Sequence, residues 1–217
     1  MSTDKHGLMI EACQAGDVAK VTELLKEDPS LVNARSEKGE SAILTAQYRM
    51  QRGVVDLLLS KGAALTLYEA CAVGALEKVK SMVAANPASV NSLAPDGFPP
   101  LALACYFGQT GVAEFLLDHG AQVNTPAENA MKVTALHAAA AGRHMAICAM
   151  LLQHGADPNA RQHGGFTPLH SAAANGQEDL VRALLDRGAD RSAKSADGHT
   201  PHDMALERGH AEVAKLL

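Results

Sequence analysis

Short apolar stripes, each closed by a glycine, recur along the chain. In the clearest of them Leu180, Val181, Leu184 and Leu185 fall at helical spacing, so they form one apolar face of a helix that Gly188 ends. The same pattern predicts seven such helices. They are expected near 17–26, 51–60, 76–84, 110–118, 144–153, 177–186 and 210–217.

A second, shorter helix is predicted before each stripe. Thr167 offers a side-chain oxygen to the free amides of a helix start, and Pro168 lacks only an amide that would be unpaired there. Ala172 and Ala173 allow close approach of a neighbour, and Gly176 can take the left-handed conformation that ends the helix. One unit is therefore a helical hairpin plus a turn.

The start of this unit recurs at intervals of about 33 residues, which predicts a solenoid in which each unit buries its apolar face against its neighbours. The three clearest copies are Thr134-Ala135-Leu136-His137, Thr167-Pro168-Leu169-His170 and Thr200-Pro201-His202-Asp203. The copies continue through an alanine pair, a glycine, an apolar helix and a closing Gly-Ala such as Gly188-Ala189. In this the chain resembles the ankyrin repeat family from about His6 to its last residue.

The resemblance implies an all-α fold, an ankyrin-type α-solenoid of stacked helical hairpins with β-turn tips and about seven repeats. We expect a single ankyrin repeat domain over 1–217. Its repeats are expected at about 6–35, 36–65, 66–94, 95–128, 129–162, 163–195 and 196–217.

Departures from the repeat mark individual units. A longer period of 58 residues returns Pro29 and Asn33 as Pro87 and Asn91, so units one and two look duplicated into three and four. Unit three lacks the Gly-x-Thr-Pro turn and has a capping-box pattern, Thr66 with Glu69, in its place. Unit two has Met50 where a glycine is expected, so its first helix either runs on into the second or turns differently.

Composition favours one soluble, all-helical repeat domain, with no Trp and 3% aromatic residues. Apolar runs are shorter than the roughly 20 residues of a membrane helix, and the first residues lack the apolar core of a secretory signal, so a cytoplasmic location is expected. The net charge of −5, with basic residues mixed among acids, argues against nucleic acid as a partner. The cysteines are expected to be reduced core residues: Cys13, Cys71, Cys105 and Cys148.

The ten histidines mostly follow the repeat. In the family that the chain resembles, the motif histidines, here His137 and His170, bond to turn backbone. His199 and His202 are three residues apart, but no Cys or carboxylate ligand accompanies them at a repeating distance, so no metal and no cofactor are predicted. No nucleophile elbow, phosphate-binding loop or His-Glu-x-x-His pair is present, so the chain is not expected to be an enzyme.

The resemblance implies a protein–protein interaction module, a monomer that binds a partner protein or peptide through turn tips and the exposed, concave face of the first helices. Five of the seven Phe and Tyr residues map to these positions, and aromatic side chains are favoured at interface hot spots. The predicted protein-binding residues are Tyr48, Arg49, Phe98, Tyr106, Phe107, Met131 and Phe166.

Two alternatives stay open. The chain could be a regulatory or inhibitory subunit of an enzyme encoded elsewhere. The phenylalanines could also serve packing, with Phe107 folding back on the next unit and Phe98 or Phe166 stapling adjacent turns.

Overall fold

The computed structural model describes residues 4–217 and divides them into two compact units, one ending at Val73 and the other starting at Gly74. The described residues form α-helices joined by turns and short 3₁₀ helices, without a β-strand. Their one isolated antiparallel bridge pairs Arg35 with Ser41. The expected all-α fold is confirmed.

The first unit consists of two helix pairs and a fifth helix. Helix α1 packs against α2 and α3, and α3 in turn packs against α4 and α5. The helices are α1 (Lys5–Ala15), α2 (Val18–Glu27), α3 (Ala42–Tyr48), α4 (Arg52–Ser60) and α5 (Leu67–Val73).

The second unit opens with one helix and continues with four helix pairs. These helices are α6 (Leu76–Ala85), α7 (Pro100–Tyr106), α8 (Thr110–Asp118), α9 (Ala135–Ala141), α10 (Met145–Gln153), α11 (Pro168–Ala174), α12 (Glu178–Asp186), α13 (Pro201–Glu207) and α14 (Ala211–Ala214). The first helices α7, α9, α11 and α13 pack in chain order, and the second helices α6, α8, α10, α12 and α14 do the same. Within this unit the hairpins therefore stack as in a solenoid.

Threonine side chains begin α9, α11 and α13, as predicted. The Thr134 side chain accepts a hydrogen bond from the amide of His137. Thr167 and Thr200 each form a reciprocal capping box with the third helical residue.

An asparagine after α8 and another after α10 join consecutive loops in the second unit. Asn124 donates to the carbonyl of Gly155 at 3.1 Å and accepts from the amide of Asp157 at 2.8 Å. Asn159 makes the same two bonds one hairpin later, to Gly188 and Asp190. These bonds satisfy the loop main chain, which supports the regular stacking.

The departures noted in the sequence have structural counterparts. The 58-residue period places two short 3₁₀ helices, Pro29–Asn33 and Pro87–Asn91, in corresponding positions. The capping box at α5 is present, with the Thr66 amide 2.7 Å from Glu69 Oε2 and the Glu69 amide 3.3 Å from Thr66 Oγ1. Helix α3 ends at Tyr48 and does not run on into α4.

The core consists of small and branched apolar side chains. All four cysteines are free and buried. Burial raises the pKa of the Cys13, Cys71 and Cys148 thiols to about 12 and raises that of Cys105 well above its ordinary value. The thiols are therefore packing groups and poor nucleophiles.

Candidate functional site

The two motif histidines connect α9 and α11 to the turn of the following hairpin. His137 Nε2 lies 3.2 Å from the carbonyl oxygen of Phe166, and His170 Nε2 lies 3.1 Å from that of His199. A carbonyl oxygen only accepts, so each Nε2 carries the proton and donates it. These bonds hold the main chain at Phe166 and His199 against the first-helix layer.

Burial keeps both rings neutral. Desolvation lowers the pKa of His137 to about 4, against the opposing effect of its bond to the Phe166 carbonyl. The pKa of His170 is also lowered, again chiefly by desolvation. Neither ring is free for acid–base chemistry, because Nδ1 of each also contacts its capping threonine, at 2.8 Å for His137 and 2.9 Å for His170.

A groove of about 360 Å³ lies on the first-helix side of the second unit. Helix α11 provides its middle, α9 and α13 contribute one residue each, and the turn before α11 overhangs it. The lining residues are Ala141, Gln162, Phe166, His170, Ser171, Ala174, Asn175 and Met204. Ala141 and Ala174 are the last residues of α9 and α11. Because their side chains are small, they leave open space at this end of the groove.

Three polar side chains in this groove make no hydrogen bond within residues 4–217. They are the amides of Gln162 and Asn175 and the hydroxyl of Ser171. Together they present donors and acceptors beside an apolar floor. Ligand sites commonly combine an apolar lining with a few orienting polar groups.

Phe166 is half-buried at the edge of the groove. Its ring contacts the His170 ring edge-on, with centroids 5.6 Å apart. The ring therefore packs on its own repeat and also lines the groove.

The Tyr106–Phe107 pair lies at the C-terminal end of α7. The two rings meet edge-on at 5.0 Å. His144 Nε2 lies 3.1 Å from the Tyr106 carbonyl oxygen, and a Cβ added to Gly142 would lie 2.6 Å from that oxygen. Since Gly142 follows the lining residue Ala141, the main chain at Tyr106 lies close to the α9 end of the groove.

The other predicted binding residues lie outside the groove lining. In the second unit Phe98 is half-buried in the turn before α7, and Met131 is exposed (55%) in the turn before α9. In the first unit Tyr48 is exposed at the end of α3 and Arg49 is its exposed C-cap. All seven residues remain a predicted binding set.

The structure adds residues that the sequence did not single out. Ala141, Gln162, Ser171 and Met204 line the groove, and Ala141 and Met204 are distant from Phe166 in sequence. An alignment of the first helices could have indicated the groove. The last position of the helix is Tyr106 in α7 but alanine in α9 and α11. This change from a large to a small side chain leaves the space that the groove occupies.

Among the residues that the structure describes, three exposed non-glycine residues hold positive φ angles: Met50 at 56°, Lys132 at 51° and Arg143 at 62°. Met50 and Arg143 stand at the turn after a first helix, where Gly108, Gly176 and Gly209 stand after α7, α11 and α13. A side chain in this conformation costs about 1–2 kcal/mol relative to glycine. Arg143 and Lys132 flank α9, the helix that contributes Ala141 to the groove.

Residues 4–217 contain neither a cluster of metal-binding side chains nor a helix that could span a membrane. There, no three His, Cys, Asp or Glu side chains are grouped as metal ligands would be. His199 Nδ1 lies 2.9 Å from Glu207, and His202 Nδ1 lies 3.7 Å from Asp203. None of the helices in this range is long and apolar enough to cross a membrane.

Two family models match the chain, and both describe ankyrin repeats. The model for three copies matches residues 67–162, and the model for many copies matches residues 151–205. The two matches overlap and together extend over the helices that build the groove.

Similar proteins carry the same repeats within much longer chains. The human (Homo sapiens) ankyrin repeat and KH domain-containing protein 1 is 38% identical over 109 residues, which are 50% of this chain and 4% of that protein. Ankyrin repeat domain-containing protein 17 of Homo sapiens and of Mus musculus is 38% identical over 81 residues, 37% of this chain and 3% of the relative. The chain thus matches only a small part of the length of these relatives.

Proposed function

Because the chain belongs to the ankyrin repeat family, we propose that it is a non-catalytic binding module whose partner, a protein or peptide, occupies the groove on α9, α11 and α13. Ankyrin repeats are generally protein–protein interaction modules. In such repeats the shared residues maintain the stack, and the variable surface positions carry specificity.

One observation carries the proposal. The groove combines an open apolar floor with three polar side chains that have no partner in the described structure, and the Phe166 ring lines it. Exposed polar groups without partners are satisfied by water, which an incoming peptide main chain can replace. Aromatic neighbours then supply apolar contact area.

Site-specific photo-cross-linking tests the proposal. A benzophenone amino acid is placed at Ala174 in the groove or, as a matched control, at Arg182 on the exposed side of α12. We expect irradiation of cells that produce the protein to give a discrete adduct from position 174 only. Mass spectrometry of the adduct then identifies the cross-linked segment of the partner.

Replacing both Tyr106 and Phe107 by alanine should reduce the yield of that adduct. Thermal unfolding of the same variant separates a binding effect from a folding effect. Equal adducts from positions 174 and 182, or none from position 174, would place the binding surface elsewhere. An unchanged yield with lowered thermal stability would assign the aromatic pair to packing alone.

A further inference from the structure

Asn175, which lines the groove, differs from the other asparagines of the chain in the residue that follows it. It precedes Gly176, and this is the single Asn-Gly pair in the sequence. The main-chain nitrogen after an asparagine is the nucleophile in the spontaneous loss of the side-chain amide, and a glycine leaves that nitrogen without steric shielding. The pair is therefore the asparagine position most prone to this reaction.

The carboxamide of Asn175 also lacks the contacts that hold the other asparagines. It makes no hydrogen bond within residues 4–217 and is half-buried in a groove that is open to water. Asn86 is followed by Pro87, whose nitrogen carries no hydrogen. The remaining asparagines all bond to main chain through their carboxamides: Asn33, Asn91, Asn124, Asn129 and Asn159.

The fold requires the glycine of this pair but not the asparagine. Gly176 has a φ of +67°, and a Cβ at this position would lie 2.6 Å from His210 Nδ1. The position of Asn175 is occupied by Phe107 after α7 and by Arg208 after α13. Because such different residues precede the same turn, asparagine is not needed to end the helix.

The last turn of α11 controls access to the reaction. The Gly176 amide donates to the Ala173 carbonyl at 3.1 Å, and Asn175 has helical backbone angles, with φ −93° and ψ −2°. Attack of the Gly176 nitrogen on the side chain requires this bond to open. Helix ends open locally at low free-energy cost. We therefore expect the folded chain to react more slowly than the denatured chain, but without global unfolding.

We propose that Asn175 is a site of spontaneous deamidation. The Gly176 nitrogen loses its proton to hydroxide and attacks Cγ of Asn175. The bond between Cγ and Nδ2 breaks, and ammonia leaves with a proton returned by water, which gives a five-membered succinimide. Water then opens the ring, either between Cγ and the Gly176 nitrogen to give aspartate, or between that nitrogen and the main-chain carbonyl carbon to give isoaspartate.

Both products alter the groove. Aspartate adds a negative charge to a lining that contains no Asp, Glu, Lys or Arg, and it replaces a group that donates and accepts with one that only accepts. Isoaspartate in addition lengthens the main chain just before Gln177, whose side chain donates to the Ala140 carbonyl at 2.7 Å. Resting on the proposed function, the modification weakens binding of the partner in the groove.

Incubation of the folded full chain at mildly alkaline pH, followed by tryptic digestion and mass spectrometry, tests the modification. We expect the peptide from Gln162 to Arg182 to gain the mass of an amide-to-acid exchange and to separate into two chromatographic forms, aspartate and isoaspartate. A sample digested without incubation corrects for reaction during digestion. Asn159, which precedes Ala160, should stay unmodified over the same period, and Asn175→Gln should abolish the mass gain in the Gln162–Arg182 peptide.

Asn175→Asp reproduces the aspartate product and tests its effect on binding. In the photo-cross-linking experiment with the benzophenone at position 174, this variant should lower the adduct yield roughly fivefold or more, because a donor to the partner is lost and a charge is introduced. Gln153→Asp adds the same charge at the exposed end of α10 and should leave the yield unchanged. Circular dichroism verifies that both variants are folded.

The outcomes separate the modification from the proposed function. No mass gain at Asn175 in the folded chain, with a gain in the denatured chain, would show that the end of α11 protects the pair and would overturn the modification site. A mass gain together with an unchanged adduct yield for Asn175→Asp would overturn the effect on binding and retain the site. No adduct from the unaltered chain would overturn the groove as the binding surface, while the mass measurement still decides the deamidation.

Discussion

At the residue scale, the motif histidines act as fixed hydrogen-bonding groups between hairpins. His137 is 1% exposed and bridges its capping threonine and the Phe166 carbonyl. The neutral form alone suits this buried position, because the protonated ring would lose its solvation. The overhang of Phe166 above the groove therefore depends on a ring that must stay neutral.

His137 should make stability fall at acidic pH. Its folded pKa of about 4 lies below the ordinary value of 6.5, so the unfolded chain binds more protons between these values. The stabilisation is fully present above about pH 6.5 and is lost as pH falls toward 4. From the size of the shift we expect a loss of about 3 kcal/mol, with His170 adding in the same direction. Urea unfolding from pH 7 to pH 4 measures it.

His137→Gln removes the titrating ring while keeping a hydrogen-bonding side chain. It should lower stability at pH 7 and flatten the pH dependence. His154→Gln, at an exposed helix end, is the matched control for the loss of one histidine. A pH profile of His137→Gln parallel to that of the unaltered protein would contradict the assignment.

At the element scale, the residues before α4, α10 and α12 reach back to the preceding hairpin. Gln177 Nε2 donates to the carbonyl of Ala140 at 2.7 Å, and His144 Nε2 makes the equivalent contact to Tyr106. In the first unit Gln51 Nε2 lies 3.4 Å from the carbonyl of Gln14. These bonds satisfy carbonyls at the ends of first helices, which lack intrahelical partners.

Gln177→Ala should destabilise the second unit by about 1 kcal/mol, since one hydrogen bond to a helix-end carbonyl is lost. Gln177→His should retain most of the stability, because histidine fills this position at residue 144. Urea denaturation of the two variants beside the unaltered chain measures the difference. Equal losses for alanine and histidine would show that side-chain size, not the bond, matters there.

Elements could be predicted from the sequence because their signals are local. Thr134, Thr167 and Thr200 begin helices where the caps indicated, and the capping box at Thr66 is present. The turn at Met50 was left open, because the sequence could not show whether methionine would accept a left-handed conformation. Neighbouring packing decides that cost, and the observed φ of 56° shows that the fold imposes it.

At the scale of the whole molecule, the four cysteines are divided equally between the two units. Cys13 and Cys71 lie in the first unit, and Cys105 and Cys148 lie in the second. Each is buried in a packed helix, so a thiol reagent reaches it only after local or global opening. The cysteines therefore report separately on the opening of each unit.

We expect maleimide labelling of the native chain at pH 8 to be at least about 100-fold slower than in denaturant at every cysteine, because both burial and the raised pKa disfavour the thiolate. Mass spectrometry after proteolysis assigns each labelled site. A cysteine that reacts as fast as in denaturant would show that its helix is not packed as described.

By itself the sequence determined the helical hairpins, their caps, the period and the family, because each of these depends on residues within about one repeat of one another. Only the tertiary structure decided the groove, since Ala141, Phe166, Ser171 and Met204 come from three hairpins. It also decided that Phe166 both packs and lines a surface, and that Arg143 holds a strained turn. Burial, open volume and the absence of a hydrogen-bond partner depend on what the neighbouring hairpin leaves uncovered.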